Sequence, residues 1–259
     1  MDLGIAGKRA IVGAASKGLG KGCAMALAEE GVHLTINART ATELEATAAE
    51  IRAVTGVEVA AIAGDITWAE TRQAILAACP EPDILVTNAG GPPPGNFRTD
   101  TRERWLAALE AQLLGHAEMI TAVVDGMAAR CFGRIVNITS QSTKMPVPNL
   151  GLSTSARLAL QGFCNTICRE VMDRNVVINN LLPGPFDTDR LKSGITHAAQ
   201  QAGIEVEAAR AARMAATPAG RFGTAEEFGK VCAFLCSQHV GFMTANSVLM
   251  DGGLYPGTF

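Results

Sequence analysis

The sequence predicts one α/β domain in which helices cover both faces of a doubly wound parallel sheet of about seven strands. Two observations predict this fold class. Short β-rich segments alternate with longer helical segments along all 259 residues, and no linker, repeat or low-complexity tract interrupts them. Right-handed crossovers then place helices on both faces of the sheet. Ligands of such a domain bind at the carboxyl ends of its strands.

The predicted strands are short and rich in β-branched and aliphatic residues. They are residues 8–13, 32–37, 57–62, 83–88, 133–138, 176–182 and 247–252. The predicted helices have apolar residues at helical spacing, and the first two end at glycine. They are residues 18–31, 41–56, 67–78, 99–129, 150–174 and 224–237. A long irregular and helical insertion separates the sixth strand from the last helix.

Composition excludes several classes of protein. Apolar residues make up 48% of the chain and charged residues 18%, which argues against disorder. The net charge is −3 with no basic block, so nucleic-acid binding has no electrostatic support. No apolar run has the length of a membrane span, and the N-terminus lacks a signal-peptide core. We therefore expect a cytoplasmic protein that binds neither nucleic acid nor membrane.

Seven cysteines show no disulfide framework. Cys164 and Cys168 have helix spacing, as do Cys232 and Cys236. A metal pair is one interpretation of this spacing. We expect buried thiols on apolar helix faces and no metal site, because no second ligand pair accompanies either one.

A glycine-rich turn joins the first strand to the first helix. In the segment GAASKGLG, residues 13–20, Gly18 and Gly20 open the helix. Bare backbone there lets the pyrophosphate of a dinucleotide approach the amides, and the helix N-terminus supplies partial positive charge. The alternative is a plain tight turn.

The end of the second strand indicates which dinucleotide binds. An NAD site usually has a carboxylate there for the ribose 2′-hydroxyl. The segment INART has no acid but contains Arg39, and Lys17 lies in the glycine-rich turn. Two cations without a carboxylate favour the 2′-phosphate of NADP. A solvated arginine at a helix start is the alternative.

Further motifs follow the other strands. They are GDIT with Asp65, TNAG at 87–90, IVNITS at 135–140, LLPGPFDT at 181–188 and LMDGG at 249–253. Together they resemble the short-chain dehydrogenase/reductase family of Rossmann-fold enzymes over essentially the whole chain. The resemblance implies an NADP(H)-dependent oxidoreductase that acts on a small-molecule carbonyl or alcohol and forms a homodimer or homotetramer. It also implies one domain over residues 1–259, with a substrate lid at about 186–216.

The resemblance and the glycine-rich turn together give a set of expected NADP-binding residues. They are Gly13, Ser16, Lys17, Gly18, Leu19, Gly20, Arg39, Asp65, Ile66, Asn88, Ala89, Gly90, Arg157, Pro183, Gly184 and Thr188. Thr188 is expected to hold the nicotinamide carboxamide. The family motif begins with Thr-Gly where this chain has Gly13 and Ala14, and we expect NADP binding to survive this change.

Enzymes that resemble this family use a catalytic tetrad of Asn, Ser, Tyr and Lys. Three features agree on where these positions fall: the spacing after Ser140, the segment RLALQGF, and the count from Trp105. They assign the tetrad to the following residues: Gln112, Ser140, Ser153 and Arg157. Only the serine at 140 is retained.

The two replacements change the proton chemistry that the site can perform. A serine hydroxyl is a far weaker acid than a phenol, so Ser153 is a poor proton source. Arginine stays protonated, but Arg157 can bond ribose hydroxyls or stabilise an oxyanion. The only tyrosine, Tyr255, lies in the C-terminal tail. Two nearby groups are candidates for the proton donor: Lys144 on the loop after Ser140, and His116 on the helix face of Gln112. A solvated lysine and a packing or interface histidine are the alternatives.

Three functions fit this site. The first is the NADP(H)-dependent oxidoreductase with an atypical tetrad. The second is aldol-type, isomerase or dehydratase chemistry on the same scaffold by oxyanion stabilisation. The third is a catalytically inactive NADP-binding or sensing protein. Fold alone does not choose between them.

Overall fold

A seven-stranded parallel sheet in the order β3-β2-β1-β4-β5-β6-β7 forms the centre of the molecule. The computed structural model describes residues 1–258. The strands are β1 (Arg9–Val12), β2 (His33–Ala38), β3 (Val59–Ala63), β4 (Ile84–Thr87), β5 (Gly133–Ile138), β6 (Val176–Pro183) and β7 (Ser247–Met250). All six pairings between neighbouring strands are parallel. Each predicted strand is therefore confirmed, with bounds shifted by a few residues at most.

Nine α-helices connect these strands within residues 1–258. They are α1 (Gly18–Glu29), α2 (Ala41–Thr55), α3 (Ala69–Ala78), α4 (Arg102–Leu109), α5 (Gly115–Ala129), α6 (Gly151–Val171), α7 (Asp189–Ala202), α8 (Val206–Ala215) and α9 (Ala225–Leu235). Strand order reverses between β1 and β4, which creates the crevice where doubly wound sheets bind their ligands.

Two hydrophobic cores lie on the two sides of the sheet. One includes Leu27 of α1, Leu44 of α2 and Phe228 of α9. The other includes Ile120 of α5 and Leu160 of α6. Strands covered on both faces have nearly continuous apolar sequences, as these do. The predicted doubly wound sheet with helices on both faces is confirmed.

The predicted helix at 99–129 is interrupted. Thr101 caps α4 by accepting a hydrogen bond from the Arg104 amide at 3.4 Å, so the helix begins at residue 102. A π-helical turn, Glu110–Leu114, then separates α4 from α5. Such a turn contains one residue more than an α-helical turn and often lies at a functional site. Apolar periodicity alone did not reveal it.

The remaining differences are small. The predicted helix at 150–174 ends at Val171 and continues as a 3₁₀ turn, Met172–Arg174. The insertion after β6 is more ordered than predicted, because it consists of α7 and α8. All four helix-spaced cysteines are buried, as predicted.

The described residues contain no helix that combines the length and apolarity needed to cross a bilayer. Within the same part of the chain, no group of three or more His, Cys, Asp or Glu side chains is arranged to hold a metal ion.

Candidate active site

The turn between β1 and α1 packs directly on the end of β4. A Cβ atom on Gly13 would lie 2.6 Å from the carbonyl oxygen of Asn88, and one on Gly20 would overlap the carbonyl oxygen of Ala14. Only glycine allows these two approaches. Ala14 itself has a φ of 49°, a left-handed conformation that costs a non-glycine residue about 1–2 kcal/mol. The alanine in place of the family's glycine is therefore strained as well as bulkier.

The two cations predicted to bind a 2′-phosphate lie at the mouth of this crevice. Lys17 immediately precedes α1, and its Nζ is 3.4 Å from Asp189 and 3.8 Å from Glu43. Arg39 follows β2 and is exposed, with its Nη2 4.0 Å from the position of a Cβ atom on Gly90. Two exposed cations at this edge suit a phosphate ligand.

The other predicted cofactor residues follow the carboxyl ends of neighbouring strands. Asp65 and Ile66 follow β3, Asn88, Ala89 and Gly90 follow β4, and Pro183 ends β6 just before Gly184. Ser16 lies in the turn that leads into α1, and Gly18, with a φ of 57°, and Leu19 are the first two residues of that helix. The methyl carbon of Thr188 is 3.6 Å from the position of a Cβ atom on Gly18, so the start of α7 faces the glycine-rich turn.

The predicted tetrad positions Gln112, Ser153 and Arg157 form one hydrogen-bonded chain. The Ser153 hydroxyl donates to Gln112 Oε1 at 2.9 Å and accepts from Arg157 Nε at 3.2 Å. Arg157 Nη1 donates to the Ile138 carbonyl at 2.7 Å, which fixes the guanidinium at the end of β5. Ser153 is buried, and the chain of bonds sets the orientation of its hydroxyl.

Gln112 lies in the π-helical turn and is only 1% exposed. Its Nε2 is buried and has no hydrogen-bond partner among residues 1–258. An unpaired buried donor costs about 1–3 kcal/mol, so Nε2 is suited to bind a ligand.

Ser140 stands apart from this chain. It follows β5, and its Oγ accepts a hydrogen bond from the Ser142 amide at 3.1 Å. The structure thus joins three of the four tetrad positions and leaves Ser140 on the adjoining turn.

Lys144 is exposed at the end of a short 3₁₀ turn, Gln141–Thr143. Of the two interpretations of Lys144, the structure agrees with the solvated lysine, because the loop places the side chain in solvent.

His116 is buried on the first turn of α5, and neither ring nitrogen has a well-aligned partner among the described residues. Burial first, and then the charge of Arg157, lower the pKa of His116 to about 4. The imidazole is therefore neutral at physiological pH, so the expectation that its pKa suits proton transfer is not met.

This burial of His116 makes stability depend on pH. The unfolded chain binds a proton at this residue near pH 6.5, whereas the folded chain does so only near pH 4. Stability therefore falls as the pH drops through this window, by about 3 kcal/mol at most. Urea unfolding at several pH values should show this slope and its loss in His116→Leu. The exposed His197→Leu is the control; equal slopes in both variants would contradict the assignment.

Arg190 is a site residue that the sequence did not reveal. It lies in the first turn of α7, and its two terminal nitrogens donate to the carbonyls of Gly91 and Pro92 at 3.1 Å each. Burial first, and then the charge of Arg190, lower the pKa of Arg157 to about 10. The only sequence signal was its position two residues after Thr188.

A cavity of about 220 Å³ lies between the loop after β5, the end of α8 and the C-terminal tail. Its lining includes Gln141, Met145, Arg213 and Leu254. Tyr255 follows in the tail, and its amide donates to Asp251 at 2.7 Å.

Comparisons with known proteins agree with this fold. The chain matches the family described as enoyl-(acyl carrier protein) reductase over residues 13–255. It is 29% identical over 251 residues to the NADPH-dependent reductase BacG of Bacillus subtilis. The alignment covers 95% of this chain and 97% of that protein. It is 31% identical over 257 residues to the 3-oxoacyl-(acyl-carrier-protein) reductase FabG of Vibrio cholerae. This alignment covers 98% of this chain and 99% of that protein. The structure of L-sorbose reductase from Gluconobacter frateurii, complexed with NADPH and L-sorbose, matches with a TM-score of 0.93 and 26% identity over 99% of this chain and 100% of that one.

Proposed function

Because the chain belongs to the short-chain dehydrogenase/reductase family, we propose that it is an NADP(H)-dependent oxidoreductase that acts on a small-molecule carbonyl or alcohol through a non-standard active site. The observation that carries the proposal is the hydrogen-bonded chain of Gln112, Ser153 and Arg157 beside the dinucleotide crevice. In this proposal these fixed donors take the place of the family's tyrosine and lysine. We also propose that residues 1–259 form one domain, with a lid at 186–216.

The crevice fits NADPH in shape and charge. The absence of Cβ atoms at Gly13 and Gly20 lets the β1–α1 turn lie against β4, which leaves the amides at the start of α1 for a pyrophosphate. Lys17 and Arg39 would hold the 2′-phosphate, and Thr188 would hold the carboxamide. The bound cofactor supplies a hydride to the substrate carbon.

Arg157 stabilises the negative charge that develops on the substrate oxygen. Its Nε and Nη1 are engaged by Ser153 and Ile138, whereas its Nη2 has no hydrogen bond to another described residue. Since the first two bonds hold the guanidinium in place, its remaining N–H groups are preorganised for an oxyanion. Ser153 keeps Arg157 oriented and links it to Gln112.

The proton that completes carbonyl reduction comes from water. The Ser153 hydroxyl is too weak an acid to give up its proton, and Arg157 stays protonated. His116 is a neutral buried imidazole, and the Lys144 side chain lies in solvent. In this mechanism fixed cationic donors stabilise the substrate oxygen, where the family uses an acid of lowered pKa. Solvent supplies the proton in place of the family's proton relay.

The test is NADPH absorbance with a panel of ketones, aldehydes and quinones. We expect oxidation of NADPH with at least one of them, and no loss of turnover in Lys144→Ala or His116→Leu beyond what altered folding explains. Tight NADPH binding with no oxidation across the panel would contradict the proposal and favour non-redox chemistry. The double variant Ser153→Tyr/Arg157→Lys should introduce ordinary reductase activity if the scaffold is intact.

A further inference from the structure

The half-buried Arg157 and the exposed Arg190 lie near Gln112, and neither is paired with a carboxylate of the described residues. The charge of Arg190 acts on Arg157, and no Asp or Glu side chain of residues 1–258 forms an ion pair with either guanidinium. The acids on either side of Arg190 are engaged elsewhere. Asp187 lies 3.8 Å from Lys192 and 3.5 Å from Arg210, and Asp189 lies 3.4 Å from Lys17. The positive charge of these two arginines is therefore not balanced by a carboxylate of the described residues.

A third donor faces the same space. A Cβ atom on Gly91 would lie 2.9 Å from Gln112 Nε2 and 3.0 Å from Arg190 Nη2, so the two nitrogens converge beside this glycine, and a ligand reaches both when their flexible ends move slightly apart. Gln112 Nε2 is the buried donor that lacks a partner. The α7 arginine is held there by two backbone carbonyls, which orient its fork but do not neutralise it.

We propose, on the basis of the oxidoreductase function above, that the substrate has a carboxylate next to its reacting carbonyl and that Arg190 and Gln112 bind this carboxylate. The class is that of 2-oxo acids and the corresponding 2-hydroxy acids. Arg157 takes the carbonyl oxygen, and Arg190 takes the neighbouring carboxylate.

A planar carboxylate fits this arrangement better than other anions do. Its two oxygens match the paired N–H groups of a guanidinium. Two arginines without a paired carboxylate also favour a negatively charged ligand. The amide of Gln112 adds one further bond to the same group. A neutral ketone would leave Arg190 and Gln112 Nε2 without a ligand, so the site discriminates against it.

The experiment compares benzoylformate with its methyl ester, which share the ketone and the ring and differ in the charge. We expect the wild-type enzyme to prefer the acid in kcat/KM by at least about tenfold, the value of one charge-assisted hydrogen bond. Arg190→Gln should lose about 10- to 100-fold on the acid and change little on the ester. Arg169→Gln removes an exposed positive charge from α6, outside the lid and the site, and should leave both values unchanged.

Gly91→Ala is a second variant that alters no charge. Its methyl group enters the volume between Gln112 Nε2 and Arg190, whose flexible ends must move apart. It should show the same selective loss on the acid. An ester turned over as well as the acid, or an equal loss on both substrates in Arg190→Gln, would overturn the proposal.

Calorimetry of the NADPH-loaded protein with oxalate separates this proposal from the oxidoreductase function. Oxalate binding that weakens at least about tenfold in Arg190→Gln supports the carboxylate site even where neither ketone is turned over. NADPH binding without oxalate binding overturns the carboxylate site alone. Failure to bind NADPH overturns the proposed function. Weaker NADPH binding in Arg190→Gln would instead assign this arginine to the cofactor and overturn the carboxylate site.

Discussion

Arg157→Met is expected to lower kcat/KM for NADPH-dependent turnover by about 100- to 1,000-fold, the usual cost of removing one oxyanion donor. Methionine keeps the length and apolar stem of the side chain but removes every N–H group. The Ser153 hydroxyl then loses its donor, and the Ile138 carbonyl loses a bond of 2.7 Å. Steady-state kinetics with the best substrate of the panel measures the change.

The matched control for Arg157→Met is Arg169→Met, at an exposed position of the same helix. It should leave kcat/KM within about twofold, as expected for a surface change far from the site. Arg157→Lys should restore only part of the activity, because an ammonium group cannot reproduce the guanidinium geometry. A methionine variant with nearly full turnover and normal stability would give Arg157 a purely structural role.

The pH profile gives a second readout of Arg157. Desolvation and then the charge of Arg190 lower the pKa of this guanidinium to about 10. Activity that depends on its charge should fall as the pH rises through 10, provided that the enzyme stays folded. An unchanged kcat/KM across that range would contradict a role for the charge.

Gly20→Ala is expected to destabilise the fold by about 1–3 kcal/mol and to weaken NADPH binding by at least about tenfold. The new methyl would overlap the carbonyl oxygen of Ala14 and lie 3.0 Å from Asn88 Nδ2. Because the obstructing atoms are mainly backbone, the β1–α1 turn must shift, and the amides that face a pyrophosphate shift with it. Fluorescence titration with NADPH and urea unfolding measure the two effects.

Gly162→Ala is the control for Gly20→Ala, because a methyl there meets no atom within 4 Å and lies on α6. It should be neutral or stabilise the protein by up to about 1 kcal/mol, the difference in helix propensity. Equal NADPH affinity in the two variants would show that the turn tolerates the displacement.

The sequence predicts the sheet and the cofactor edge well, because both depend on local patterns. Apolar runs and glycines mark strands and turns directly, so the seven strands and the position of Gly18 and Gly20 follow from them. The chain of Gln112, Ser153 and Arg157 could be anticipated only as aligned positions. Their hydrogen bonds depend on the π-helical turn, which apolar periodicity does not encode.

The other site residues depend on tertiary environment, which a sequence pattern does not specify. His116 and Lys144 both have side chains suited to proton transfer, but packing buries the first and a surface loop exposes the second. Arg190 reaches the site because α7 begins opposite the loop that contains Gly91. Its place in the site depends on a contact with a residue about a hundred positions away in the sequence. A local sequence pattern does not encode such a contact.

The π-helical turn at Glu110–Leu114 has a consequence for insertions and deletions. Each residue of an α-helix rotates the chain by about 100°, so the extra residue changes the phase between α4 and α5. Deleting one residue there would restore a regular helix. If the buried face of α5 then stays on the sheet, Gln112 must turn away from Ser153. Alternatively, Gln112 would stay and His116 and Met119 would rotate out of the core. The length of this segment is therefore constrained more tightly than its composition. A one-residue deletion there should disrupt the site or the core more than most substitutions do.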